Sequence, residues 1–118
     1  MHTSDELLNI INEALEKENF NREPLELYEP ITYILSLGGK RIRPVMLLMA
    51  AEMYGGDIGK ALPAALGIEI FHNFSLVHDD IMDRAPLRRG KQTVHEKWNA
   101  NTAILSGDTM LVKAYEQF

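Results

Sequence analysis

Apolar residues recur at helical spacing along almost the whole chain. Leu7, Leu8, Ile11, Ala14 and Leu15 fall on one face, and Thr3 followed by Glu6 has the form of a capping box that starts the helix. A second helix is predicted from Pro24 to Leu37, with Leu25, Tyr28, Ile31, Ile34 and Leu35 inward. Pro30 either kinks this helix or splits it, and Gly38-Gly39 stops it. Pro44 suits the first turn of a third helix that ends before Gly55-Gly56. A long fourth helix covers roughly Ala61 to Asp83, and Pro86 and Gly90 mark the loop after it. Thr93 and Glu96 predict a short capped helix through Trp98, and a last helix begins near Asn101 or Thr102. Its pattern runs into Phe118 with no stop signal, as expected for a portion of a longer chain; a small bundle with a frayed end is the alternative. No alternating apolar pattern is long enough to demand a sheet, so the expected class is all-α.

Composition narrows the chemistry. The 118 residues are 46% hydrophobic, enough to fold as one domain rather than stay disordered. A formal net charge of −5 argues against general nucleic-acid binding, so any positive site must be local. Without cysteine there is no disulfide or thiolate metal site, and a bound metal must take oxygen or imidazole ligands. The polar, acidic start Met1-His2-Thr3-Ser4-Asp5-Glu6 is unlike a secretory signal. The longest apolar stretch, Val45 to Ala51, is too short to span a membrane, which points to a cytoplasmic protein with no integral membrane segment.

Three clusters carry candidate chemistry. In His78-Asp79-Asp80-Ile81-Met82-Asp83, Asp79 and Asp83 share a helix face. They repel each other there, and the helix macrodipole disfavours them at a C-terminal end. A cation offsets both costs, and two hard oxygen ligands one turn apart suit magnesium completed by water and phosphate. A solvated acidic helix end is the bland alternative. Gly38-Gly39-Lys40-Arg41-Ile42-Arg43-Pro44 places three cations between a glycine pair and a helix start, an arrangement suited to phosphate but also to a basic surface turn. Leu87-Arg88-Arg89-Gly90-Lys91 puts further positive charge directly beyond the acidic helix. Carboxylates, metal and arginines together make a site for a diphosphate.

In order and spacing these clusters, with Phe71 to Asp83 and Asn101-Thr102-Ala103-Ile104-Leu105-Ser106-Gly107-Asp108, closely resemble the polyprenyl synthetase family of trans-prenyltransferases. The resemblance implies the N-terminal part of the isoprenoid synthase helical bundle, with residues 1–118 a portion of one domain. It implies head-to-tail condensation of an allylic diphosphate with isopentenyl diphosphate, with Mg2+ as cofactor and a homodimer as the assembly. By resemblance, Asp79 and Asp83 ligate the metal with Asp80 in or near the same shell, and Arg88 holds the allylic diphosphate. Gly39, Lys40, Arg43, His72 and Arg89 match the isopentenyl diphosphate site. Phe74 matches the floor that limits chain length, with Phe71 and the small Ser75 beside it, which implies a C20 product or otherwise C15. Met110, Leu111, Ala114, Tyr115 and Phe118 give the last helix an apolar face for the twin subunit. His78 and His95 are expected to be structural.

The family's second aspartate-rich motif has no counterpart here, since Asp5, Asp57 and Asp108 are isolated. These residues alone are therefore expected to be inactive and to self-associate. Other readings are a non-catalytic regulatory subunit of a heteromeric synthase, a terpene cyclase, and an acidic helical interaction module. The cyclase has no need of cations for a second diphosphate, and the module would bind neither magnesium nor diphosphate.

Overall fold

The structure is a computed structural model that describes residues 1–18 and 25–118. Pro24, predicted to open the second helix, and the side chain of Leu25 lie outside the described residues. Among the described residues six helices and one short ribbon follow in the order α1 (Ser4–Lys17), α2 (Leu25–Ser36), α3 (Ile42–Met53), α4 (Ile58–Asp83), β1 (Leu87–Arg88), β2 (Lys91–Gln92), α5 (Val94–Lys97) and α6 (Ala100–Glu116). The class is all-α, as expected. Among the described residues no helix is long and apolar enough to cross a membrane.

Local sequence sets most boundaries. The Glu6 N–H donates to Thr3 Oγ1 at 3.2 Å and the Thr3 N–H to Glu6 Oε1 at 2.9 Å, so the capping box forms at the head of α1. Such a cap is worth about 1 kcal/mol. Leu7, Ile11 and Leu15, one turn apart, are buried beneath it. Pro30 neither splits α2 nor ends it: the helix runs through, the ring is buried, and the missing N–H forfeits a single helical bond. Ile31, Ile34 and Leu35 enter the core from α2.

The fourth helix begins three residues before the expected Ala61. Asp57 is its N-cap, with Oδ1 accepting from the Gly59 N–H at 2.8 Å, and that short side chain satisfies a backbone donor that Gly59 and Pro63 obscure in the sequence. α4 is the central element and packs on α1, α2, α3, α5 and α6. Its inward stripe is Leu66, Glu69, Ile70, Asn73, Val77 and Asp80, apolar with polar interruptions.

α6 lies against α4 through Ala103, Ser106, Gly107, Met110 and Ala114. Small residues permit a close approach there: a Cβ at Gly107 would fall 2.7 Å from His78 Nε2, and one at Gly67 would fall 3.0 Å from the Ala114 carbonyl oxygen. This corrects the expected outer face of α6. Met110 and Ala114 are buried against α4, and the exposed apolar residues are Ile104, Leu105, Val112, Tyr115 and Phe118.

Thr93 also differs from expectation. It sits at the N-cap of α5 but makes no side-chain cap; its hydroxyl donates to the Ala85 carbonyl at 2.8 Å and ties the end of the hairpin back to the end of α4. The hairpin was not predicted, because two-residue strands show no period. Leu87 pairs with Gln92 and Arg88 with Lys91, leaving Arg89 and Gly90 as a two-residue turn with φ of 52° and 77°. Two positive values in succession are the geometry of tight hairpins.

Candidate functional site

The cationic cluster is built by backbone conformation. Gly38 and Gly39 have φ of 77° and 138°, and Arg41 follows at φ 52° and ψ 36° as the N-cap of α3, with no side-chain cap. A non-glycine residue in the left-handed region costs on the order of 1 kcal/mol. Among the described residues the other non-glycine residues with positive φ are Arg84, which closes α4, and Arg89 in the hairpin turn. Two of these three arginines border one cavity of about 280 Å3, lined by Gly39, Lys40, Arg41, Ile42, Arg43, Glu69, His72 and Arg89. All five residues expected at the isopentenyl diphosphate site therefore meet in one place.

Contacts within the cavity are specific. Arg89 reaches from the hairpin across Gly39, where an added Cβ would stand 2.9 Å from its Nη2. Gly39 is thus the seat of a guanidinium. Arg43 Nη1 lies 3.3 Å from His72 Nε2, which accepts this bond when neutral. Burial first, and then the charge of Arg43, lowers the His72 pKa below the ordinary imidazole value. Burial, then repulsion from Arg88 and Arg41, also lowers the Arg89 pKa. A crowd of cations with this little counter-charge is ready for an anion.

The acidic cluster follows helix periodicity. His72, Ser75, Asp79 and Asp83 succeed one another at steps of three or four along one face of α4. Asp79 and Asp83 are exposed and, among the described residues, make no side-chain hydrogen bond or ion pair. Asp80 is different. It is buried, and both its oxygens accept from Arg88, Oδ2 from Nε and Oδ1 from Nη2, each at 2.8 Å. That bidentate bond raises the Arg88 pKa. The structure thus brings Asp80 to Arg88, away from the face that Asp79 and Asp83 share.

No group of three or more His, Cys, Asp or Glu side chains forms a metal cage among the described residues. The donor set still fits magnesium: two unpaired hard carboxylates at one helix end leave most of the coordination sphere to water and phosphate.

The expected chain-length residues lie on α4 beside His72, before the carboxylates. Phe71 and Ser75 line an apolar cavity of about 320 Å3 with Ile68, His72, Arg43 and Phe118. Phe74, one turn on, lies toward Gly107 of α6, its ring 5.5 Å from that of Phe71 and 4.6 Å from that of His78. His78 fills the space over Gly107, and its Nε2 is 3.8 Å from Asp108 Oδ1. His95, in α5, is partly buried, with Nε2 3.9 Å from Glu96 Oε1.

The sequence reading missed Glu69 and Asn73. Glu69 is buried, lines the cation cavity and accepts from Arg41 Nη1 at 2.8 Å. Asn73 Nδ2 donates to Glu69 Oε1 at 3.0 Å. The available signal was two polar residues four apart on an otherwise apolar helix face.

The family model for polyprenyl synthetase matches residues 24–118. The chain belongs to the polyprenyl synthetase family. Among relatives in this family, the geranylgeranyl diphosphate synthase of Methanosarcina mazei is 52% identical over 93 residues, which cover 79% of this chain and 29% of that protein. A crystal structure of a geranylgeranyl pyrophosphate synthase superimposes with a TM-score of 0.95 at 53% identity, over 99% of this chain and 36% of that one. The geranylgeranyl pyrophosphate synthetase of Geoglobus acetivorans gives a TM-score of 0.91 at 45% identity, over 98% of this chain and 38% of that one. The chain therefore spans about a third of the length of the polyprenyl synthetase relatives it matches.

Proposed function

We propose that the complete protein is a short-chain trans-prenyltransferase that joins an allylic diphosphate head to tail with isopentenyl diphosphate, with a C20 product favoured over C15. The observation that carries this reading is the convergence of Lys40, Arg43, His72 and Arg89 on one cavity, about two turns along α4 from an unpaired carboxylate pair. Relatives named as geranylgeranyl diphosphate synthases support the C20 preference.

In this reading Lys40, Arg43 and Arg89 neutralise isopentenyl diphosphate, and Gly39 lets Arg89 lie flat against the loop. Arg88, oriented by Asp80, holds the allylic diphosphate. Asp79 and Asp83 would hold magnesium, which supplies electrophilic pull on a diphosphate leaving group when bound. The allylic C–O bond breaks with its electron pair departing on the diphosphate. The C3–C4 double bond of isopentenyl diphosphate attacks the resulting cation, and a proton is lost to the released pyrophosphate. The fixed cations stabilise charge without reorganising, and the apolar helix faces keep water from the carbocation.

Phe74, with Phe71 and Ser75, is proposed to set product length. The exposed face of α6, from Ile104 to Phe118, is proposed as the homodimer contact, and the protein is proposed to be cytoplasmic. Residues 1–118 alone are proposed to be inactive.

The test is incubation of the purified complete protein with magnesium, isopentenyl diphosphate and dimethylallyl, geranyl or farnesyl diphosphate, followed by chromatography of the dephosphorylated products. A C20 alcohol is expected, and absence of condensation with every allylic substrate would overturn the reading. Phe74→Ala should lengthen the product by at least one C5 unit; unchanged product lengths would remove Phe74 from the floor.

A further inference from the structure

Arg41 belongs to the cationic loop, yet its side chain turns inward and is 4% exposed. Three separate elements hold its guanidinium. Nη1 donates to Glu69 Oε1 at 2.8 Å, Nη2 to the Leu35 carbonyl at 2.7 Å, and Nε to Asn12 Oδ1 at 3.3 Å. α1, the end of α2 and α4 therefore meet on one planar group. The Glu69 side chain is equally buried, and Asn73 fixes its Oε1. A lysine at this position would offer all its donors from a single nitrogen and could not serve acceptors spread over three elements.

The neighbours of Arg41 behave in the opposite way. Lys40 and Arg43 are exposed and line the cavity with His72 and Arg89. The left-handed backbone at Arg41 divides the inward side chain from the outward ones. Glu69 also lines that cavity, so without Arg41 its buried carboxylate would lose its ion pair and compete with an anion for the cavity's cations.

We propose that Arg41 and Glu69 are positioning residues for the isopentenyl diphosphate half of the site. The inward pull on Arg41 fixes the loop so that Lys40 and Arg43 face the cavity, and the pairing keeps the Glu69 carboxylate from repelling a diphosphate. The inference rests on the function proposed above and adds to it two buried residues at the wall of the cavity that act through Lys40 and Arg43. Its signature is asymmetry. None of the hydrogen bonds of Arg41 involves Asp79, Asp80, Asp83 or Arg88, so the allylic half should be spared.

Two variants of the complete protein test this. Arg41→Lys keeps the charge and loses the fork. Arg41→Met with Glu69→Met removes both charges together, so that a fold lost to an unpaired buried carboxylate cannot explain the result. In each, KM for isopentenyl diphosphate should rise by about tenfold or more, with KM for the allylic substrate within about twofold of wild type. Thermal midpoint and circular dichroism show which variants are folded. A folded variant of either kind with both KM values within about twofold of wild type would overturn the proposal, and so would a parallel rise in both. Wild-type protein that fails to use isopentenyl diphosphate would remove the proposed function itself, and this inference with it.

Discussion

The acidic end of α4 and the cationic loop before α3 are both dense with charge, but they are made in different ways. The acidic end is regular helix. Its carboxylates are placed by periodicity alone, with Asp79 and Asp83 exposed and Asp80 turned one residue further round to Arg88. The loop is irregular. It uses two positive-φ glycines, a left-handed arginine and a buried ion pair to hold Lys40 and Arg43 outward. In each region a residue of the signature faces inward on a hydrogen-bonded partner while its neighbours are exposed. Removing an exposed residue should therefore affect ligand binding, whereas removing an inward one should affect the scaffold.

The sharpest form of that contrast is at the carboxylates. Asp79→Ala or Asp83→Ala in the complete protein should lower turnover by several orders of magnitude, because a metal would lose a ligand. The same change should not lower stability and should raise it by about 0.3–1 kcal/mol, since repulsion at a helix C-terminus is relieved. Steady-state rates and denaturant titration measure the two effects. Turnover like wild type would remove the metal assignment, and a marked loss of stability would break the contrast.

Gly39→Ala tests the opposite behaviour. At φ 138°, with a Cβ 2.9 Å from Arg89 Nη2, alanine strains the backbone and displaces a cation together. A loss of about 1–3 kcal/mol in denaturant unfolding is expected, with weaker isopentenyl diphosphate binding. An alanine variant as stable as wild type would show that the loop is less constrained than its backbone indicates.

The smallest effect is a titration. His72 should protonate below the ordinary imidazole range by NMR, and Arg43→Gln should move it upward. Because the folded pKa lies below the unfolded one, the contribution of neutral His72 to stability is complete above the unfolded value. It is lost as pH falls toward the folded value. An ordinary His72 titration, unmoved by Arg43→Gln, would mean that the two side chains do not share the cavity as described.

The same contrast explains what could be read in the sequence. Helix period and capping chemistry made α1, α3 and the Asp79–Asp83 face legible, because each depends on residues within a turn or two of one another. The start of α4 was read three residues late, since a glycine and a proline in its first turns masked the Asp57 cap. Thr93 looked like a cap but is bonded to Ala85, a partner that only the fold brings near. The family signature named Lys40, Arg43, His72 and Arg89, and they do meet. It did not reveal that Arg41 turns inward, because its partners Asn12 and Glu69 are 29 and 28 residues away. Pairing over such separations leaves no periodic trace.

α4 is one uninterrupted helix of 26 residues from Ile58 to Asp83, and it carries both His72 and Asp79. Seven helical steps separate them, a span of about 10 Å along the axis. The distance between the cation cradle and the carboxylate pair is therefore fixed by the peptide repeat itself. It works as a ruler cut into the backbone, with no hinge between its marks. One residue inserted between them would turn the carboxylates by about 100° about the helix axis relative to the cradle, with every side chain in both clusters unchanged.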